Sequence, residues 1–151
     1  MKLNPNKVSF GRHETFVLRY SWLSKGLKEM KDSDVFSSDK QTVILGVGKN
    51  MVSSIRYWLL ASQMAINHES EGMMSTDIGD WIYENDPFIE DEATLWLVHW
   101  LLASNPNIAT GWYWFFNHYH KTEFTSYEVG EALFEFCKEK IEKKYSEKKI
   151  K

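Results

Sequence analysis

Between Val43 and Leu60 the apolar positions fall into two short sets separated by glycines. Val43, Ile44 and Val47 read as a short apolar helix, and Gly46 and Gly48 supply a turn that tolerates φ > 0. Lys49 and Asn50 open a second helix in which Met51, Val52, Ile55, Trp58 and Leu59 recur at i, i+1, i+4, i+7 and i+8, one stripe at the helical period. Asn50, Ser53, Ser54, Arg56 and Tyr57 are left on the opposite face. The pattern predicts a helix-turn-helix over residues 39–60. Beyond it, Met64 and Ile66 alternate, His68 to Gly72 is a polar turn, and Met73 with Met74 restarts an apolar strand, which predicts a β-hairpin over 62–74. A hairpin directly after a helix-turn-helix is a wing, so a winged helix-turn-helix is expected from residue 14 to 75.

The flanking segments read as helices. Phe16, Tyr20, Leu23, Leu27 and Met30 form an apolar stripe that predicts a first helix ended by residues 32–34, and Ser37, Ser38 or Asp39 caps the next. Ser75 or Thr76 caps a short helix carrying Ile78, Trp81 and Ile82, and Asp86-Pro87 breaks the chain. Glu90-Asp91-Glu92 then places acids at the positive end of a helix dipole. The following run, Thr94 to Ala103, is apolar almost all round and predicts a central, buried helix. Asn105-Pro106-Asn107 stops it, Thr110 to Tyr119 forms an aromatic helix, and Thr125 to Glu128 fits a capping box before a last amphipathic helix with Val129, Leu133, Phe136, Cys137 and Ile141. Lys143 to Lys151 is highly charged. The fold class is therefore mainly α, a winged helix-turn-helix with a small hairpin packed on an aromatic-rich helical subdomain. One domain is expected over residues 8–145, with 146–151 a charged tail and the start of a linker.

Composition changes this picture in three ways. A chain of 151 residues with 43% apolar and 26% charged content can bury one substantial core, and its seven tryptophans imply a core of large flat side chains. A net charge of −3 gives no global attraction to a polyanion, so any nucleic-acid face must be a local patch. Cys137 is the single cysteine, the first eleven residues lack the apolar stretch of a signal peptide, and no apolar run approaches the ~18 residues of a spanning helix. A cytoplasmic protein without membrane contact is expected.

Lys49, Asn50, Ser53, Arg56 and Tyr57 are the candidate DNA-binding residues, because they can donate to phosphates and base edges near the start of a helix that would enter a major groove. Two helices joined by a glycine turn also occur in proteins that touch no nucleic acid. Arg12, His13 and Glu14 are the candidates for chemistry: a base, a carboxylate to orient it or bind a metal, and a guanidinium for a phosphate. The competing and favoured reading makes them a helix start with Glu14 at the dipole. Glu90 and Asp91 are weak metal candidates, since such a cluster more often simply starts a helix. Gly46-Val-Gly-Lys49 is not a P-loop, which would need glycine at Val43 and serine or threonine at Asn50. His118 and His120 lie about 200° apart on a helix and cannot share one zinc. The aromatics of 112–116 could stack bases but at helical spacing read as core.

Several stretches resemble a bacterial domain-of-unknown-function family found in DNA phosphorothioation operons, which exchange a backbone oxygen for sulfur. They are Phe10-Gly-Arg-His-Glu-Thr-Phe16 with Trp22-Leu-Ser-Lys-Gly26, Leu45-Gly-Val-Gly-Lys-Asn-Met-Val-Ser-Ser-Ile-Arg-Tyr-Trp58, Asp86-Pro87 through Glu90-Asp91 to Thr94-Leu-Trp-Leu-Val-His-Trp100, and Ala109-Thr-Gly-Trp-Tyr-Trp-Phe-Phe-Asn117. The resemblance implies the N-terminal part of the nicking component of such a system. It implies DNA as a ligand, a role in phage defence, and as partners a cysteine desulfurase, an ATPase and sulfurtransferase-like proteins; a homodimer is also open. A metal-dependent nickase using Mg or Mn is implied only for the full-length protein. This chain alone is expected to be non-catalytic, and a protein–protein adaptor of the modification complex is the alternative. No cofactor is evident from the residues.

Overall fold

In the computed structural model, which describes residues 3–31 and 34–141, the first helix does not begin where the apolar spacing places it. Glu14 and Thr15 adopt left-handed φ of 51° and 64°, which a continuing helix cannot accommodate, and α1 (Tyr20–Met30) starts only after extended Arg19. The buried face is accordingly Trp22, Leu23, Gly26, Leu27 and Met30, while Tyr20, expected inward, is exposed. A 3-10 turn (Val35–Ser37), a single-turn α2 (Gln41–Ile44) and α3 (Lys49–Ala61) follow. Leu45 is the buried residue of the α2 segment; Val43, expected to be core, is 79% exposed. One turn of helix has room for only one inward side chain.

The sheet is a two-stranded antiparallel hairpin, β1 (Ala65–His68) and β2 (Gly72–Ser75), with Asn67 paired to Met73 and His68 to Gly72. Met64, Ala65 and Met73 point inward, and Ile66 and Met74 are exposed. Thr76 then accepts the amide of Gly79 and starts α4 (Asp77–Asn85), donating its hydroxyl back to the Gln63 carbonyl at 2.8 Å. This ties the start of α4 to the foot of the hairpin. Next come α5 (Glu92–Ala103), α6 (Thr110–His118) and α7 (Ser126–Lys140), the last opened by the expected capping box of Thr125 and Glu128.

The chain divides into two compact units. One comprises residues 12–101, and the other the described parts of 1–11 and 102–151. In the first, α1 packs on α3, where a Cβ on Gly26 would stand 2.5 Å from a Leu59 methyl. Leu23, Ile55, Leu59, Met64 and Ile82 are fully buried there, each stabilising the fold by ~1.5–3 kcal/mol relative to exposure. In the second, Val8, Trp114, Leu133, Cys137 and Ile141 form the core, and the Ser9 amide donates to Thr110 Oγ1 at 3.0 Å. Burial pushes the Cys137 thiol up to about 11. The expected all-round burial of α5 does not hold: Thr94, Val98, Leu101 and Leu102 are buried, but Trp96 and Trp100 are 64% and 62% exposed. Only one side of that helix is covered. The aromatics of α6 split in the same way, Trp114 inward and Trp112 and Phe116 outward. His118 ends α6 and stacks on Phe136, and both His118 and His120 are exposed. The expected charged tail, Lys143 to Lys151, lies outside the described residues. Among those residues no helix is long and apolar enough to cross a membrane.

Candidate nucleic-acid interface

The orientation of α3 follows from its buried side. With Val52, Ile55, Trp58 and Leu59 packed inward, the helical period turns Lys49, Asn50, Ser53 and Arg56 to solvent and leaves Tyr57 half-buried at the edge. Ser54, which the spacing suggests for the polar face, is instead fully buried, and its Oγ has no hydrogen-bond partner. It lies three residues from both Met51 and Tyr57, at the boundary where local spacing cannot assign a side. The helix opens at Gly48, which has no side chain to cap the first turn, and that turn holds no acid. Its free amide groups and the lysine beside them form a local positive end suited to an anion.

Two polar contacts that the sequence does not announce hold the hairpin, one to this helix and one to the 3-10 turn. Arg56 Nη2 donates to Asn67 Oδ1 at 3.1 Å, joining the exposed face of α3 to β1. Asp34 accepts the amides of Met73 at 3.0 Å and Phe36 at 3.1 Å, and the hydroxyl of Ser37, so it fastens β2 to the 3-10 turn. Burial alone would raise the Asp34 pKa, but the bonds from Ser37, Met73 and Phe36 and the charge of Arg56 together hold it below the usual carboxylate value. Gly72, at φ 80°, leaves the space this carboxylate fills. The hairpin tip carries Glu69 and Glu71 with His68 bonded to Ser70, an arrangement that repels phosphate.

Arg12, His13 and Glu14 lie in the turn before α1 and not at its start, so the helix-dipole reading of Glu14 fails with the late onset of that helix. The turn brings His13 to α3. Its ring stacks on Trp58 with centroids 5.7 Å apart and meets Tyr57 edge-on at 5.9 Å, and its buried Nδ1 has no hydrogen-bond partner. Trp58 Nε1 donates to the Phe16 carbonyl at 3.3 Å and locks the same segment down. Arg12 and Glu14 are exposed, whereas His13 is half-buried against α3. Burial pushes the Tyr57 hydroxyl up to about 12.

Glu90 and Asp91 are exposed ahead of α5. Their amides donate to the Asp86 carboxylate, both at 3.0 Å, and Asp91 Oδ1 accepts the Ala93 amide at 2.8 Å. The amides, that of Glu90 foremost, hold the Asp86 carboxyl below its ordinary value. These are helix-starting contacts. Among the described residues no three His, Cys, Asp or Glu side chains are arranged to hold a metal ion.

The family described as "Protein of unknown function (DUF4007)" matches residues 10–151. Two solved structures of SspB, one of them with magnesium ion bound, are similar to this chain. Each has a TM-score of 0.84 and 30% identity, over 94% of this chain and 46% of the solved one. The chain therefore spans about half the length of those proteins. No curated protein matches it.

Proposed function

This chain belongs to the DUF4007 family, and we propose that it is the DNA-binding component of a bacterial DNA phosphorothioation and phage-defence system. In this reading α2 and α3 act as a helix-turn-helix and the β1–β2 hairpin as its wing. The observation that carries it is the outward face of α3, where Lys49, Asn50, Ser53 and Arg56 are exposed together beside an uncapped helix start. Similarity to SspB, a component of a phosphorothioation system, supports membership of such a system. Lys49 and the helix start would receive a phosphate, Asn50 and Ser53 would face base edges, and Arg56 would reach the backbone beside them. The acidic hairpin tip makes the wing a brace for Arg56 and not a phosphate contact.

Strand nicking that opens the backbone to sulfur exchange, and assembly with a cysteine desulfurase, an ATPase and a sulfurtransferase-like protein, are assigned to the longer proteins of the family. Ahead of α5, Asp86 and Asp91 Oδ1 are engaged by backbone amides, and among the described residues no three His, Cys, Asp or Glu side chains are grouped to hold a metal ion, so no step through a metal is assigned to this chain. An adaptor role is the second reading, favoured by the exposed Trp96 and Trp100, whose apolar rings suit a protein surface. Incubation with supercoiled plasmid and Mg²⁺ or Mn²⁺, followed by mobility shift, tests both. The expected result is a shifted, still supercoiled plasmid. Open circles would assign nicking to this chain, and an unshifted plasmid would leave the adaptor reading.

A further inference from the structure

The loop after α4 leaves a phenylalanine ring exposed at a groove that two lysines also line. Asp86 takes the amides of Glu90 and Asp91, and the Pro87 carbonyl accepts the Ser24 hydroxyl, which bolts the loop to α1. Ile89 is buried at φ 55°, a conformation that β-branched residues rarely adopt. Its neighbour Phe88 is thereby left 70% exposed. Phe88 lines an open groove of about 410 Å³ together with Lys25 and Lys28 of α1. Glu29 and Glu90 line it as well. Lys25 Nζ donates to the Leu45 carbonyl at 3.0 Å and would lie 4.0 Å from a Cβ on Gly46, so the groove opens beside the turn that leads into α3.

We propose that this groove takes one unpaired nucleotide of a DNA strand. The Phe88 ring stacks on the base, Lys28 with Lys25 faces the phosphate, and Glu29 and Glu90 accept from amino or imino N–H groups on the base edge. Two lysines against two carboxylates give no net charge, which disfavours a bare anion. An aromatic wall with both donors and acceptors suits a nucleotide. A strand supplies it, because the α3 face on the same unit is open to flanking phosphates. The inference rests on the DNA-binding reading above.

The test is fluorescence anisotropy of the whole chain with a short single-stranded oligonucleotide and with a duplex of the same sequence. Phe88→Ala should weaken single-strand binding about 5- to 100-fold and leave the duplex unchanged, while Phe88→Trp restores it. Lys28→Glu should weaken the single strand as well. Phe88 and Lys28 are exposed, so unchanged circular dichroism is expected for each variant. Single-strand binding equal to wild type in Phe88→Ala overturns the groove, even where Lys49→Glu with Arg56→Glu abolishes duplex binding and the α3 reading stands. Displacement of the oligonucleotide by an equal concentration of thymidine monophosphate overturns the strand as its source. No binding of either oligonucleotide by the wild-type chain overturns both readings.

Discussion

Arg56 on α3 and Asn67 on β1 are eleven residues apart and joined by a 3.1 Å hydrogen bond across an exposed surface, so the orientation of the guanidinium is set by the hairpin. Neither side chain is buried. The bond therefore contributes little to stability and acts mainly on where a long flexible side chain points.

Asn67→Ala should shift the thermal midpoint by no more than a degree or two, since exposed substitutions stay within about 0.5 kcal/mol. DNA affinity should fall about 2- to 10-fold, the cost of reordering one rotamer-rich side chain on binding. Anisotropy titration of wild type and variant in one salt condition checks it, and equal affinities would detach Arg56 from the contact surface.

Lys49→Glu with Arg56→Glu should leave the helical circular dichroism intact, because both positions lie off the buried side of α3. Binding to duplex DNA should weaken, and the slope of log affinity against log salt should fall by about 0.9 for each phosphate that the protein no longer neutralises. A folded variant with the wild-type slope excludes α3 as the contact surface.

Asp34→Ala should remove the link between β2 and the 3-10 turn. A cost of about 1–2 kcal/mol is expected at neutral pH, at the lower end for charged hydrogen bonds because the site is partly open to water. The folded carboxyl lies below its ordinary value of 3.8, so its contribution is complete above pH 3.8 and is lost as pH falls through the folded value. Urea midpoints of wild type and Asp34→Ala should differ by a constant amount from pH 7 to about pH 5 and converge below 3.8. A gap that persists undiminished at the lowest pH where both fold would show that the charge is not involved.

Gly79→Ala should cost more than Gly26→Ala. A Cβ at 79 would meet the Met64 carbonyl oxygen at 2.2 Å, and one at 26 would meet a Leu59 methyl at 2.5 Å. A backbone carbonyl cannot rotate away, whereas a leucine side chain can, so about 2–3 kcal/mol is expected at 79 and about 1 kcal/mol or less at 26, where helix propensity offsets part of the clash. Denaturant midpoints of the two variants give the order directly, and the reverse order would place the clash at 26.

Most of the local order was legible in the chain. The apolar stripe Val52, Ile55, Trp58 and Leu59 named the buried side of α3 and with it the outward Lys49 and Arg56, the turn from His68 to Gly72 marked the hairpin, and Thr125 with Glu128 marked the start of α7. Each is a relation between residues within two turns or one hairpin, and the backbone geometry of a helix or strand converts such spacing into a face without help from elsewhere. The tertiary structure decided what depends on the neighbours of each face. Ser54 is covered and Trp96 and Trp100 are not, because burial is set by which elements pack alongside and not by the polarity of the side chain. His13 comes to rest on Trp58, forty-five positions away, only because Glu14 and Thr15 turn left-handed and delay α1. The strained Ile89 that buries itself and exposes Phe88 has no signature in composition or period, since that strain is held by the Glu90 amide donating to Asp86 and the Ser24 hydroxyl donating to Pro87, bonds that exist only once the chain has folded.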